Sequence, residues 1–530
     1  MPAAASTRAV TTLPALEREL SEGLLQRWTQ LVQADPLASC FQSPGWCVPW
    51  YRSYHDEFDP FVVLVMAGAE LVGCVPLAVR RATREISFAS GTMADYRDIV
   101  ALPGWRQVVV SELLRVYLEG RFPNPLQIGW IDPASDTPAL VAEACRMRRV
   151  PFTSWEQPCY RWFPADGENL NKKFSRIRTH LNHFKRLGTV AFDVITNPDE
   201  WARFRTAFFQ QHTLRQLQAD RTVSFDDPRK QRFYDRLFDS AAFQTHVTAL
   251  RLDGELLSGH VGLVWNDVLM LGAPSISIEH EQRSPALILL SWVMQNASDL
   301  GLKGFDLTVG DTEFKRRLGN QCVSVTMLEV YGRRRDFYRR RLRDRAVAVA
   351  KRAVAKVAGE DAWKRRVRPW IDAALERGAG GRLAEVLARL RGRRTDNAAV
   401  ETWEITPGDL PVIEADRGEV IAWQMRENRI EDLLMPSGTA ASTERAIREC
   451  ARSFARRRAA GGVFTTLIAG DQLAAWCFVQ PPASPGEPAT VHGLHVVEEW
   501  RVRGATEALL ARVARAAFAS GAPSITVSRG

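Results

Sequence analysis

The hydrophobic pattern of the chain changes period several times, and each change marks an element. Val268 to Gly272 is a short apolar run that reads as a strand. A polar loop follows, and Ser284-Pro285 then precedes Leu287, Leu290, Val293, Met294 and Ala297 at helical spacing. A capping residue followed by proline is a helix start, and Gly301 marks the end of that helix. Gly304 to Leu307 reads as a second strand. A strand, a loop and a helix whose first amides lack partners make a seat for a phosphate, because the free N–H groups and the helix dipole both favour an anion.

The flanking chain alternates in the same way. Leu16 to Ala34 has the stripe of an amphipathic helix, and Phe41, Trp46, Trp50 and Tyr54 suit a helix entered at Ser43-Pro44. Two apolar strands turn at Gly68 to Glu70, a further strand runs into Asp95-Tyr96-Arg97-Asp98, and Val108 to Leu118 is helical. Lys172 to Gly188 is a basic amphipathic helix, Val190 begins a strand, and Pro198 to His212 and Phe233 to Ala241 are helices. Asp253-Gly254 is the sharpest hairpin turn in the chain, and Val323 to Gly332 closes as a strand. After Ala398 a second hairpin turns at Gly470-Asp471. Strand, loop, helix and strand then follow once more, ending in Ser524 to Val527.

At 530 residues the chain is too long for one core, and about three domains are expected. Hydrophobic residues at 46% and charged residues at 25% are ordinary for a globular protein. No apolar run is long enough to span a bilayer, and the first twenty residues have no charged start followed by an apolar core. The 8 Cys include no CxxC pair, so Cys74, Cys322 and Cys477 are expected as buried free thiols in a reducing, cytoplasmic compartment. His180 and His183 have metal-ligand spacing but no third ligand near them, and no metal is expected. The net charge of +9 is uneven. Between Arg333 and Arg394 there are 21 Lys and Arg against 7 Asp and Glu, so the rest of the chain is mildly acidic. Basicity confined to one segment argues against DNA as a partner of the whole protein. That segment reads as helical, with Phe337, Leu342, Val347, Ala350 and Val354 on a weak apolar stripe and a second piece carrying Trp363, Trp370 and Ile371. It suits a charged connector better than a membrane anchor, although weak attachment of residues 333–394 to an anionic membrane surface is the alternative.

Three motifs carry a family resemblance. FDLTVGDTEFK resembles the signature "DF-x-x-G-x-x-x-(Y/F)-K" of the GNAT acyltransferases of the CelD-like, BioF-like or Fem-type group, with Asp306, Gly310, Phe314 and Lys315 at its positions. FQSPGW, VPLAV and ADYRDIV resemble the first lobe of the same group. Arg501-Val502-Arg503-Gly504-Ala505-Thr506 resembles the general GNAT loop "(R/Q)-x-x-G-x-(G/A)". The resemblance implies an α/β (α+β) architecture of tandem GNAT-like lobes, with mixed, mainly antiparallel sheets flanked by helices, plus a basic helical connector. The expected domains are 1–165, 166–332, 333–397 and a C-terminal GNAT-like module at 398–530. This module ends one strand after its helix, so either other segments complete its sheet or it is degenerate.

The resemblance also implies the chemistry: an acyl group passes from acetyl-CoA, or another acyl-CoA, to an amine or hydroxyl on a small-molecule, glycan or peptide acceptor. The implied setting is polysaccharide or cell-envelope biosynthesis. Donor phosphates are expected at Arg283, Ser284, Ala286, Leu287 and Ile288, with Arg501, Arg503, Gly504 and Thr506 as a second candidate loop. Asp306 is the expected base, His260 the competing base, and Lys315 an anion-binding group. Asp95, Tyr96, Arg97, Asp98 and Phe314 are expected around the acceptor. Two rivals stand beside this reading: a Fem-type transferase using aminoacyl-tRNA, and a non-catalytic GNAT-like scaffold.

Overall fold

The computed structural model describes residues 5–165, 168–240, 244–358, 402–410, 421–435, 441–484 and 486–528. The chain forms two compact units. The first comprises Met1–Cys47, Tyr54–Pro158 and Ser324–Ala399, and the second Val48–Ser53, Cys159–Val323 and Val400–Gly530. The division between Pro158 and Cys159 lies inside the strand Phe152–Trp162. The second helical piece of the basic segment, with Trp363, Trp370 and Ile371, lies outside the described residues.

In the first unit, Ala5–Val10, Phe58–Ala67, Glu70–Arg80, Ile86–Phe88 and Val100–Ala101 form a five-stranded sheet. Leu126–Ile131 pairs antiparallel with Gln321–Val330. Alternating valines of the hairpin pack with Val109, Leu113 and Tyr117 of the helix Arg106–Glu119 in one core.

The second unit contains two lobes. The central lobe uses β1 (Phe152–Trp162, from Cys159 on), α1 (Ser175–Leu187), β2 (Val190–Ile195), α2 (Pro198–Gln218), α3 (Pro228–Phe238), β3 (Gln244–Leu252), β4 (Glu255–Trp265), β5 (Val268–Ile276), α4 (Pro285–Gln295), β6 (Gly304–Val309) and α5 (Glu313–Leu318). The C-terminal lobe uses β7 (Thr402–Ile405), β8 (Trp423–Glu427), α6 (Ala441–Ala459), β9 (Val463–Ala469), β10 (Gln472–Gln480), β11 (Ala489–Val496), α7 (Ala505–Ala519) and β12 (Ile525–Ser528). Strand order is β1-β6-β5-β4-β3-β2 in one and β7-β12-β11-β10-β9-β8 in the other. The two permutations are identical, so the C-terminal lobe repeats the central one.

In both, a helix crosses between two parallel strands (β5 with β6, β11 with β12), and a strand from earlier in the chain pairs antiparallel with the last. In the C-terminal sheet that early strand is β7, which pairs with β12 at the sheet edge. Asp253 (φ 50) and Gly254 (φ 87) form the left-handed pair that a two-residue hairpin requires. Strand β5 runs four residues beyond the apolar stretch Val268 to Gly272, and α4 ends at Gln295, before Gly301.

Each lobe of this unit has its own core, on α4 and on α7, and a third apolar cluster is common to both. There Leu214 and Leu217 of α2 meet Phe454 of α6 and Phe464, Trp476 and Phe478 of the C-terminal sheet. On the α2 face of the central sheet, Trp201, Phe204, Phe208, Phe209 and Phe225 pack on Val247, Ala249 and Val261. Phe208 is fully buried, and Phe208→Ala should cost about 3–5 kcal/mol, read as a lower urea midpoint of the second unit's transition. A cost under about 1 kcal/mol would mean that this face is loosely packed.

Candidate functional site

The central sheet opens at one place. Strands β5 and β6 pair only through Val268–Gly304, Leu269–Phe305 and Met270–Asp306, although both continue beyond. Each carries one extra residue just past the last pair. On β5 the register against β4 shifts between Met270 and Ala273, and on β6 the register against β1 shifts between Asp306 and Val309. Such bulges bend a strand and end its pairing. Gly272 sits in the first, where a Cβ would stand 2.1 Å from the Val261 carbonyl oxygen, so only glycine fits. Thr308 (φ 59) and Gly310 (φ 122) turn the second. The result is a neck between two strands that part.

Asp306 stands at the last pair, 4% exposed. Its Oδ1 accepts from the Thr308 amide at 2.7 Å and faces the Cys159 thiol at 3.5 Å, and its Oδ2 accepts from Arg161 Nε at 3.2 Å. Phe305 and Leu307 point to the α4 core, so Asp306 points to the opposite, α2 face. Lys315, buried on α5, donates to the carbonyls of Val309 at 2.7 Å and Thr308 at 3.2 Å, with Thr308 Oγ1 at 3.4 Å. Lys315 thus clamps the end of β6. Phe314 packs against the α4 core.

His260, the competing candidate for the base, lies on β4. It is 1% exposed, and its Nε2 accepts from the Gly272 amide at 3.3 Å. Nδ1 must then carry the proton of the neutral ring, leaving no lone pair for a general base. Burial pushes its pKa down to about 3, with His246 adding to the effect.

At the start of α4, Ser284 is left-handed (φ 51, ψ 53). Its own amide donates to Glu281, Pro285 has none, and the amides of Leu287 and Ile288 both donate to the Ser284 carbonyl. Of the three expected amides only that of Ala286 has no main-chain partner among the described residues. Arg283 is exposed, and its carbonyl accepts from His180 Nδ1 at 2.8 Å. The matching turn of the C-terminal lobe places Gly504 in the left-handed region (φ 79), and the first main-chain bond there runs from Ala508 to Gly504. The amides of Gly504, Ala505, Thr506 and Glu507 thus have no main-chain partner among the described residues. Arg501 pairs with Glu498 and Arg503 lies over the Trp500 ring. Glu507, in the first turn of α7, has Oε2 buried with no partner among the described residues, and a carboxylate there opposes an anion. Strand β11 carries the same kind of bulge as β5, at Gly493 (φ 60) and Leu494.

In the first unit, Tyr96, Arg97 and Asp98 are buried. Asp98 Oδ2 accepts from Ser135 at 2.8 Å and Arg106 at 3.3 Å, and Arg106 also binds Asp35 at 2.6 Å. Burial, outweighing these donors, raises the Asp98 pKa. This network is internal to its unit, and Asp98 keeps the helix Arg106–Glu119 on the sheet. Cys322 is exposed, against the expectation of burial, while the other seven cysteines are buried. Among the described residues no group of three His, Cys, Asp or Glu side chains could hold a metal, and no helix is long and apolar enough to cross a membrane.

The lobe that contains the neck also carries a family match. Residues 171–316 match the family described as acetyltransferase (GNAT) domain. No curated protein matches the chain. Among solved structures, the chain is similar to FemX (11% identity, TM-score 0.41, 59% of this chain and 97% of that one). It is also similar to the tandem GNAT protein from the clavulanic acid biosynthesis pathway (12%, 0.38, 62% and 98%). A third is the GNAT-family acetyltransferase from Colwellia psychrerythraea (10%, 0.35, 62% and 99%). Likenesses of this degree speak to neither substrate nor activity. The GNAT-matched span runs from the α1 region through β6 into α5, and so takes in the neck, Asp306 and the Ser284 turn.

Three buried histidines give the second unit a pH signature. Burial holds His212 and His246 down to about 4 and His260 to about 3. The unfolded chain takes up these protons near pH 6.5, so between there and about pH 4 it binds more protons than the folded state. Stability is therefore present above pH 6.5 and lost as pH falls, at up to about 1.4 kcal/mol per pH unit for each histidine. Urea midpoints taken from pH 7 to 5 should fall, and His212→Phe should make the fall shallower. An unchanged slope in that variant would show that His212 charges in the folded state.

Proposed function

We propose that the chain is an acyl-CoA-dependent acyltransferase whose donor site is the neck of the central lobe. The observation that carries this reading is the opening of β5 from β6 within the span matched by the GNAT domain family. Acyl transfer needs an anchored donor, amides beside the thioester carbonyl and a base for the acceptor proton. A strand edge released from its neighbour supplies main-chain groups in the neck. The Ala286 amide and the Arg283 side chain would meet the pyrophosphate. Asp306 would act as the base on the α2 face through Oδ2, with Arg161 holding it in place.

The acceptor is an amine or hydroxyl of a small molecule, glycan or peptide. Polysaccharide or cell-envelope biosynthesis is the setting that the motif resemblance suggests. The Gly504 turn is the second candidate for the donor, favoured by its four open amides and disfavoured by Glu507. Transfer from aminoacyl-tRNA and a non-catalytic scaffold are the rival readings. Residues 333–394 as a weak contact with anionic membrane stand as a further proposal, and much of that segment lies outside the described residues.

Calorimetry with acetyl-CoA separates these readings. Ala286→Glu should abolish binding and Gly504→Glu should leave it intact; the reverse result moves the donor to the C-terminal lobe, and no binding by the unaltered chain removes the reading. With an acceptor found by screening amines and sugars, Asp306→Asn should lower kcat about 100-fold or more with donor affinity nearly unchanged. Wild-type turnover in that variant would take the base role from Asp306.

A further inference from the structure

Three side chains under the α4 face of the central sheet carry polar atoms with no partner among the described residues. His246 and Thr248 on β3 and His260 on β4 are 6%, 0% and 1% exposed. The ladder sets His260 opposite Thr248 and Gly262 opposite His246, so the three share one face of neighbouring strands. Both ring nitrogens of His246, Thr248 Oγ1 and His260 Nδ1 have no hydrogen-bond partner among the described residues. A buried polar atom left in this state costs about 1–3 kcal/mol, and apolar side chains would serve a mere core better.

The cluster has a defined chemistry. His260 offers an N–H, since its Nε2 is taken by Gly272. His246 offers one donor and one acceptor, and Thr248 can do either. None of the three is a carboxylate or a fixed cation, so the complement is an uncharged group that both donates and accepts, as a hydroxyl does. A charged ammonium or carboxylate would be buried there without a counter-ion.

Position limits what can arrive. Helix α4 packs on β3 and β4 from outside, and α1 packs on α4. The bulge residue Gly272, bonded to His260, lies just past the point where β5 and β6 part. Neighbouring strands are about 4.8 Å apart, which puts β4 and β3 roughly 5 and 10 Å from β5. At roughly 1.2 Å per bond, a chain of about six bonds led in through the neck reaches the space between them.

We propose that His246, Thr248 and His260 receive the distal hydroxyl of the donor's acyl chain, so that the preferred donor is a short hydroxyacyl-CoA and not acetyl-CoA. This rests on the neck as donor site. The test is calorimetry on the full chain with acetyl-CoA, hexanoyl-CoA and 6-hydroxyhexanoyl-CoA. The hydroxylated thioester should bind about 10-fold or more tightly than hexanoyl-CoA, and Thr248→Val and His246→Phe should each bring that ratio towards one. Thr248→Val is close to isosteric and removes an unpartnered hydroxyl, so it should also raise the Tm of the unliganded protein.

Three results would overturn the proposal while leaving the donor site standing: equal affinity for all three thioesters, a ratio unchanged in both variants, or a lower Tm in Thr248→Val. If no thioester binds at all, both fall.

Discussion

The second unit turns on one constraint: two parallel strands pair for three residues and then must part. A β-sheet does not open for nothing, because every main-chain group released from a ladder needs another partner or solvent. Here the opening is built by an extra residue on each side, and each extra residue is held. Gly272 is held by a histidine ring from the neighbouring strand, and Thr308 by the carboxylate of Asp306 and the ammonium of Lys315. The charged residues of the FDLTVGDTEFK stretch thus do structural work at the neck, whatever Asp306 does there in chemistry.

This explains why elements were more legible in the sequence than roles. The Asp253-Gly254 hairpin, the Ser284-Pro285 helix start and the strand at Gly304 are local events, written by turn chemistry and period. The partners of Lys315 and His260 are set by bulges one strand away, and neither bulge has a local mark beyond a glycine. A lysine on a basic turn and a histidine in a strand look alike whether they face substrate or backbone. The same limit hid His246 and Thr248, whose alternation with Val247 and Ala249 reads as an ordinary strand with one wet face. Only the tertiary cover of α4 makes that face dry and the polar residues unusual.

The repeat in the second unit was legible in part. Gly504 marked the C-terminal turn, and strand–loop–helix–strand appeared twice. Strand β7 did not stand out, because Thr402–Ile405 is four residues long and separated from its partner β12 by more than a hundred. Long-range pairing leaves no trace in local pattern. Once β7 is in place, the two lobes differ at the turn before the crossing helix: Ser284 strained in the left-handed region in one, Gly504 at ease there in the other. A non-glycine residue in this conformation costs of order 1 kcal/mol, and such strain persists where the surroundings hold it.

The neck has two faces, and the side chains divide between them without overlap. Strand alternation sends Asp306 towards α2 and sends Phe305 and Leu307 towards α4, where His260 closes the same layer. On the proposed reading, a thioester held in such a gap would present its carbonyl carbon to one side and its acyl tail to the other. Proton removal and acyl recognition can then be carried by different residues on different faces, and a change in one need not disturb the other. That separation follows from the period of a β-strand, so it holds for any acceptor that reaches the α2 face.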